Sequence, residues 1–168
     1  MELYRGKRMS IEKKQVQLAS GREVERIVVH PGDAAAVLPV RADDSCYLIR
    51  QFRDAIGEYI LEAPAGTMRA AERPKDAAQR ELIEETGLQA ETLIDRGFIF
   101  TTPGFTDERI FLFEACGLSP SCLYQKDDDE EIELLRVSLA DLPGMIRDGR
   151  ISDAKTIALA YRCLVCGR

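Results

Sequence analysis

Three glutamates, Glu81, Glu84 and Glu85, stand at positions i, i+3 and i+4 of a predicted helix. Side chains at these spacings lie on one face of an α-helix. Like charges there repel one another by about 0.2–0.5 kcal/mol per pair in an isolated helix. A hard divalent cation bound by carboxylate oxygens would offset that repulsion. The spacing therefore indicates a candidate cation site.

The helix that would carry these glutamates has start and stop signals in the sequence. Pro74 suits the first helical turn, because its missing N–H is not needed there. Gly87 is a typical residue just beyond a helix C-terminus. Before the helix, residues 58–65 are predicted to be extended, since Pro64 disfavours helix at the residue that precedes it. We expect the region around Gly66 to form a turn that leads from the extended segment to the helix.

Length and composition favour one acidic domain spanning residues 1–168. The chain has 168 residues, 45% of them hydrophobic, and chains of this size bury about 70% of their unfolded surface. The net charge of −6 argues against binding to nucleic acid or to a membrane surface. No apolar run approaches the ~20 residues of a membrane span, and no signal peptide is evident.

The cysteines favour a reducing compartment, so the cytoplasm is expected. Their number is odd, and the chain shows no secretion signal. Cys163 and Cys166 form a lone Cys-x-x-Cys within an apolar helical pattern. One such pair is weak support for zinc, so we interpret both as ordinary thiols. The other three are Cys46, Cys116 and Cys122.

Periodicity along the chain predicts an α+β domain. Residues 7–18 and 23–30 form a charged hairpin, which is expected to pack on another surface such as a second subunit. A continuous apolar run at residues 34–40 predicts a strand buried on both faces. Further strands are predicted at 46–52, 93–101, 109–115 and 131–137, with a central position for 109–115. Helices are predicted at 139–148 and 154–165, a turn-rich loop at 102–107 and an irregular segment at 118–126.

Several polar residues outside this helix are interpreted from the pattern alone. Arg50 and Arg53 beside a buried strand are either surface salt-bridge partners or bidentate grips on a phosphate. His30, the single histidine, is read as a strand-end residue. The acidic run at residues 127–131 is read as a solvated loop.

The stretch at residues 66–88 resembles the Nudix box at every defined position. The family pattern is G-x5-E-x7-R-E-U-x-E-E-x-G-U, where U is a bulky aliphatic residue. The matching residues are Gly66, Glu72, Arg80, Glu81, Leu82, Glu84, Glu85, Gly87 and Leu88. Nine matches at fixed spacing make a charged surface helix that imitates the box a poor explanation.

Segments outside the box resemble one branch, the ADP-ribose pyrophosphatases and related nucleoside-diphosphate-sugar hydrolases. The resemblance implies the Nudix fold, a mixed sheet sandwiched between helices. It also implies a homodimer in which the N-terminal strands, residues 1–30, are swapped over a catalytic core of residues 31–168. The segments that carry the resemblance are residues 21–26, 50–53, 61–66, 103–108, 127–134 and 153–157.

The same resemblance assigns roles within the box. Glu81 and Glu85 are implied metal ligands, joined by the backbone carbonyl of Ala65. Glu84 is implied as a further ligand or as a residue that supports the ligands. Arg80 is expected to orient a glutamate through charge-assisted hydrogen bonds. Glu72, also in the box, is expected to pair within it and hold its loop.

The general base of this branch commonly lies on an acidic loop near the last strand. The resemblance therefore changes the interpretation of residues 127–131 from solvated loop to active-site loop. We favour Glu130 as the base. Asp128, Asp129 and Glu131 remain alternatives, because the run contains more aspartate than the branch usually has.

Substrate contacts are expected from loops and strands that flank the box. Arg53 is the first choice for a diphosphate contact, and Arg50 is the second. Glu108 resembles an acidic residue that accepts hydrogen bonds from the terminal ribose. Phe105 either closes over the ligand or packs locally, and Arg26 reaches either the substrate or the swapped partner.

The implied activity is Mg²⁺-dependent hydrolysis of ADP-ribose to AMP and ribose 5-phosphate, with Mn²⁺ as a substitute. The alternative is hydrolysis of another nucleoside diphosphate sugar, such as GDP-mannose or ADP-glucose. A third hypothesis is a nucleotide-sensing protein that keeps the fold without catalysis. Such a protein would have a broken box or an added DNA-binding domain, whereas the box here is intact.

Overall fold

Ten strands and three α-helices form the part of the chain that the computed structural model describes, residues 1–123 and 132–165. The helices are α1 Pro74–Thr86, α2 Leu142–Arg147 and α3 Ala154–Val165, and Leu139–Asp141 forms a 3-10 turn. The strands are β1 Glu2–Arg5, β2 Ser10–Gln17, β3 Glu23–His30, β4 Ala34–Pro39, β5 Ser45–Arg53, β6 Glu58–Glu62, β7 Ala65–Thr67, β8 Leu88–Phe100, β9 Arg109–Pro120 and β10 Glu133–Ser138. They form three sheets, with the orders β1-β2-β3, β10-β5-β6 and β7-β4-β9-β8.

Strand β4 lies at the centre of the molecule, between two helical layers. Ala36 and Leu38 belong to the core cluster that includes residues of α2 and α3. Ala35 and Val37 point the other way and pack in the cluster that includes Ala77, Ala78 and Leu82 of α1. All six residues of β4 are buried, because alternate side chains face the two layers. This explains the continuous apolar run and confirms the sandwich.

The four-stranded sheet is mixed, as predicted. Strand β4 pairs in parallel with β9 and antiparallel with β7. Strand β9 has β4 on one side and β8 on the other, so the segment predicted as a central strand is central. The α+β class is confirmed.

Helix boundaries follow the sequence signals closely. Helix α1 begins at Pro74, and Gly87 adopts the left-handed conformation with φ 72° while its N–H donates to Ile83 O. Helix α3 matches its predicted bounds. The helix predicted at 139–148 divides instead into the 3-10 turn and α2. Ser138 caps the turn through Ala140 N, and a proline occupies the start of α2.

The differences from prediction come from strand pairing. Strand β1 was not predicted, since its four residues are all exposed and carry no apolar alternation. The prediction of an irregular segment at 118–126 was wrong for its first three residues, because these residues extend β9 to Pro120. These residues pair with the start of β8, where Leu88 lies opposite Pro120. Backbone pairing in the folded chain therefore decides both cases.

The predicted N-terminal hairpin is present and forms a sheet of its own. Strand β3 contacts the loop before β9 through Val29 N, which donates to Phe105 O at 2.8 Å. The next residue, His30, lies between two carboxylates, with Nδ1 2.6 Å from Asp107 and Nε2 2.9 Å from Glu12. The hydrogen bond to Asp107, and then that to Glu12, raise the pKa of His30. His30 therefore connects the N-terminal sheet to the loop before β9, whereas the strand swap stays a prediction.

The described residues were compared with two sequence expectations, the absence of a membrane span and the absence of disulfides. Within residues 1–123 and 132–165, no helix has the length and apolar character needed to cross a bilayer. The cysteines of the same residues, including Cys163 in α3, form no disulfide with one another. Cys166 lies outside the described residues, so the Cys-x-x-Cys interpretation stays a prediction.

Candidate active site

Strand β7 and helix α1 bring a backbone segment against two of the predicted ligands. Ala65 N donates to Glu85 Oε2 at 3.0 Å. A Cβ added at Gly66 would lie within 2.5 Å of three carboxyl atoms of Glu81, Cδ, Oε1 and Oε2. The Glu81 carboxylate therefore occupies the space that any side chain at position 66 would need. This close approach gives a physical reason for glycine at the first position of the box.

Arg80 is the electrostatic centre of the box. Its Nε and Nη2 donate to the two oxygens of Glu72, each at 2.9 Å. Its Nη1 donates to Glu81 Oε1 at 2.5 Å and to Glu84 Oε2 at 2.8 Å. Nη2 also donates to Thr67 O at 3.2 Å, which ties the helix to β7. One guanidinium thus offsets part of the repulsion that the glutamate spacing implied.

The pKa of Glu72 reflects this contact. The hydrogen bond from Arg80 is the largest cause, and it lowers the pKa of Glu72 to about 2. Arg80 in turn has a raised pKa, chiefly through the same hydrogen bond. Both groups are therefore charged at neutral pH, and the pair holds the start of the box against α1. This is the pairing expected for Glu72, while the catalytic role of Arg80 remains a prediction.

The donor set fits a hard cation. Glu81 is 8% exposed and faces the Gly66 backbone, and Glu85 bonds to Ala65 N. Carboxylate and carbonyl oxygens are the ligands that Mg²⁺ prefers. Within the described part of the chain, no three His, Cys, Asp or Glu side chains already converge as a cation site. The arrangement thus fits a site made of two carboxylates, one main-chain carbonyl and water, with Glu84 turned towards Arg69 and Arg80.

Arg53 lies close to this site. Its Nε donates to Glu62 Oε2 at 2.6 Å, and Glu62 is almost completely buried, with 3% of its side chain exposed. Partial burial lowers the pKa of Arg53, but the hydrogen bond to Glu62 and the charges of Glu62, Glu85 and Asp153 raise it more. Through Glu62, which precedes Ala65 by three positions, Arg53 is bonded to the segment that leads into the candidate cation site.

Arg50 has different surroundings, although it is on the same strand. Its guanidinium stacks on the Tyr59 ring with 4.2 Å to the centroid. It also forms an ion pair with Glu133 of β10 at 3.4 Å. The structure therefore gives both arginines a carboxylate partner, but only Arg53 has a buried one. Their contacts with phosphate remain predictions.

The remaining predicted substrate residues lie around the N-terminal sheet and the loop before β9. Glu108 accepts a hydrogen bond from Thr101 Oγ1 at 2.7 Å. Phe105 is 54% exposed at the tip of that loop. Arg26 is exposed on β3, where its Nη1 donates to Glu25 O at 3.0 Å. None of these three contacts joins these residues to the box.

The predicted base and its alternatives lie outside the described residues. They are Glu130, Asp128, Asp129 and Glu131. Strand β10 begins at Glu133, two residues beyond the acidic run, and pairs with β5. In that pairing Glu133 lies opposite Arg50, on the strand that also carries Arg53.

Sequence reasoning assigned no role to Glu62 or Lys155, although both were part of the segments that carry the resemblance. Lys155 at the start of α3 forms an ion pair with Glu62. The sequence does carry one feature that points to Glu62. It is a charged residue between apolar neighbours at a strand end, Leu61-Glu62-Ala63, and a buried acid there needs a partner.

The sheet between helices, with carboxylates of one helix held against a tight turn, is the architecture that the resemblance implies. The NUDIX domain model matches residues 30–160, and the chain belongs to this family. The structure also resembles one described as an ADP compounds hydrolase, with a TM-score of 0.83 and 23% identity. That match covers 96% of this chain and 88% of the other and supports the fold.

Relatives in sequence include several pyrophosphatases. An ADP-ribose pyrophosphatase of Bacillus subtilis (strain 168) is 37% identical, with 92% of this chain and 84% of the relative covered. A methanol dehydrogenase activator of Bacillus methanolicus is 35% identical, with 95% and 88% covered. A GDP-mannose pyrophosphatase of Cronobacter sakazakii is 35% identical, with 80% and 75% covered.

Proposed function

We propose that this protein hydrolyses the pyrophosphate of ADP-ribose to AMP and ribose 5-phosphate with the help of a divalent cation. The observation that carries the proposal is the contact of Gly66 and Ala65 with Glu81 and Glu85, beside Arg53. The similarity to an ADP-ribose pyrophosphatase supports the substrate. Water adds to one phosphorus, the bridging P–O bond breaks, and the two products leave as phosphate monoesters.

Glu81, Glu85 and the Ala65 carbonyl would hold the cation, which we propose is Mg²⁺ with Mn²⁺ as a substitute. A bound cation of this kind neutralises phosphate charge and acidifies water. Arg80 keeps the Glu81 carboxylate in place through its Nη1. Glu84 takes either a ligand or a supporting role.

The other residues bind substrate and remove a proton. Arg53 would bind the diphosphate through its guanidinium fork, which matches phosphate oxygens. Glu108 would accept hydrogen bonds from the terminal ribose. Glu130 would take the proton from the attacking water. Phe105 and Arg50 would line the ligand from the loop before β9 and from β5.

The test is a hydrolysis panel with ADP-ribose, ADP-glucose, GDP-mannose and NADH, each with Mg²⁺ and with chelator. ADP-ribose should turn over fastest, and chelator should abolish the turnover. Glu85→Gln should lower kcat by about 100-fold or more, as loss of electrostatic stabilisation does. Glu91→Gln, at an exposed position of β8, is the matched control and should leave kcat unchanged. Turnover that persists in chelator or in Glu85→Gln would refute the cation site.

A second candidate activity is hydrolysis of GDP-mannose or of a broader set of nucleoside diphosphate sugars. The similarity to GDP-mannose pyrophosphatases favours it as the alternative. In the panel, a higher kcat/KM for GDP-mannose than for ADP-ribose would select this activity. Failure of every compound to turn over would favour the nucleotide-sensing hypothesis.

We also propose a homodimer in which the N-terminal sheet packs on a second copy. The sheet exposes large apolar side chains that its own core does not cover, among them Leu3, Tyr4 and Ile27. Arg26 on β3 would then reach the partner or its substrate. Sedimentation should give twice the chain mass, and a variant with Tyr4→Asp and Ile27→Asp should sediment as a monomer. The cytoplasm is the compartment that fits cysteines without disulfides among the described residues.

A further inference from the structure

Glu62 is a buried carboxylate that lies between two cationic side chains. Its Oε2 accepts from Arg53 Nε at 2.6 Å, and its Oε1 accepts from Lys155 Nζ. Only 3% of the Glu62 side chain and 11% of the Lys155 side chain are exposed. A buried charge is tolerated when it is paired, and removal of one partner leaves it poorly compensated. Lys155 and Arg53 therefore share the neutralisation of one carboxylate.

The first turn of α3 holds Lys155 in place. Lys155 Nζ is 3.0 Å from Asp153 Oδ1. The other oxygen of Asp153 accepts from Thr156 N at 2.9 Å and from Thr156 Oγ1 at 2.6 Å. Thr156 Oγ1 in turn accepts from Ala63 N at 2.8 Å. The same turn thus contacts two consecutive residues, Glu62 and Ala63, just before the predicted carbonyl ligand Ala65.

This arrangement determines how Arg53 presents its guanidinium. Arg53 bonds to Glu62 through Nε, and its two terminal nitrogens make no hydrogen bond with the described residues. The terminal fork of an arginine can bind two phosphate oxygens at once. Without Lys155, the Oε1 of Glu62 would lose its cation, and Arg53, which already bonds the other oxygen, would be drawn towards it.

We propose that Lys155 is a positioning residue that, through Glu62, keeps the terminal nitrogens of Arg53 directed at the diphosphate of the substrate. The inference rests on the proposed function, since the contact between Arg53 and diphosphate belongs to it. It adds a residue of α3, distant in sequence from the box, to the groups that set substrate affinity.

The first experiment measures the steady-state kinetics of Lys155→Met with ADP-ribose. KM should rise about tenfold, at the lower end of the roughly 10–100-fold losses seen when a partner that orients a metal-binding side chain is removed, and kcat should fall less. Lys155→Arg keeps a cation beside Glu62 and should restore most of the KM. If Lys155→Met does not fold, Lys155→Gln replaces it in every comparison, with the same direction expected for KM.

A double-mutant cycle separates positioning from general destabilisation. In an Arg53→Gln background, Lys155→Met should raise KM no further, because the group that it positions is already absent. Arg96→Met is the matched control. It removes the cation from another buried carboxylate, Glu114, whose side chain is 1% exposed. This control should lower the melting temperature without the change in KM.

Three results would overturn the inference. They are an unchanged KM in Lys155→Met, an effect of the same size in the Arg53→Gln background, and an equal rise of KM in Arg96→Met. Equilibrium binding of ADP keeps the test independent of turnover. If the wild type hydrolyses no member of the panel, the proposed function fails. The inference then stands if Lys155→Met weakens ADP binding and Arg96→Met does not, and it fails if the affinities are equal.

Discussion

Replacing Gly66 with alanine tests the geometry of the proposed cation site with a single methyl group. The added Cβ would lie within 2.5 Å of all three carboxyl atoms of Glu81, whereas ordinary contact begins at 3.4 Å. The nearest of them, Oε1, lies 2.1 Å from that Cβ, so the carboxylate must move by about 1.3 Å to reach ordinary contact at 3.4 Å. The φ angle of Gly66 is not in the left-handed region, so the backbone itself accepts alanine. The change acts mainly through the position of Glu81.

A misplacement of about 1 Å at a catalytic site can cost about 100-fold in rate. We therefore expect kcat/KM for ADP-ribose to fall about 100-fold in Gly66→Ala, which corresponds to about 2.7 kcal/mol in the activation barrier. The concentration of Mg²⁺ that gives half-maximal rate should rise as well. Titration with Mn²⁺, followed by electron paramagnetic resonance, measures the loss of cation affinity without turnover.

The matched control for this variant is Gly144→Ala in α2. The nearest atom to a Cβ at Gly144 is 4.0 Å away, so the methyl group meets no close neighbour. This control should keep both kcat/KM and Mn²⁺ affinity. Gly66→Ala with wild-type activity and wild-type Mn²⁺ affinity would show that Glu81 is not a ligand in the arrangement proposed here.

Three further predictions concern charged residues in and around the site. Arg80→Gln removes the partner that lowers the pKa of Glu72 to about 2 from its ordinary 4.5. The stabilisation from this pair is present above pH 4.5 and lost as the pH falls towards 2, so the melting curves of wild type and variant should converge at the acid end. For His30→Gln the sign is opposite, because the pKa of His30 is raised above 6.5. The contribution of the charged imidazole is present below pH 6.5 and lost as the pH rises through the higher folded value, so those curves should converge at the alkaline end. A pH-independent difference would contradict either assignment. Glu130→Gln should lower kcat while the Mn²⁺ affinity stays near the wild-type value, and an unchanged kcat would transfer the role of base to a neighbouring acid.

Local chemistry made the box and its helix predictable from the sequence. Pro74 and Gly87 mark the ends of α1 because each has a backbone preference that operates without tertiary contacts. The alternation that buries β4 on both faces likewise appears in the sequence as an unbroken apolar run. The spacing of the glutamates, on one face of α1, follows from helical geometry alone.

Tertiary structure decided which charged groups share a partner. Arg50 and Arg53 are equivalent in the sequence pattern, but Arg53 bonds to a buried carboxylate and Arg50 stacks on a ring. Lys155 contacts Glu62 across 93 positions of the chain, a separation that no local pattern encodes.

The three glutamates on one face of α1 show the same division between what the sequence encodes and what the fold decides. Their positions are a property of the sequence, and their electrostatic balance is not. Arg80 offsets Glu81 and Glu84, while Gly66 leaves the space that the Glu81 carboxylate occupies. These contacts depend on β7 packing against α1, because pairing energies between charges change with burial and distance. The sequence by itself determined which residues stand together on the helix, and only the folded chain determined what each of them touches.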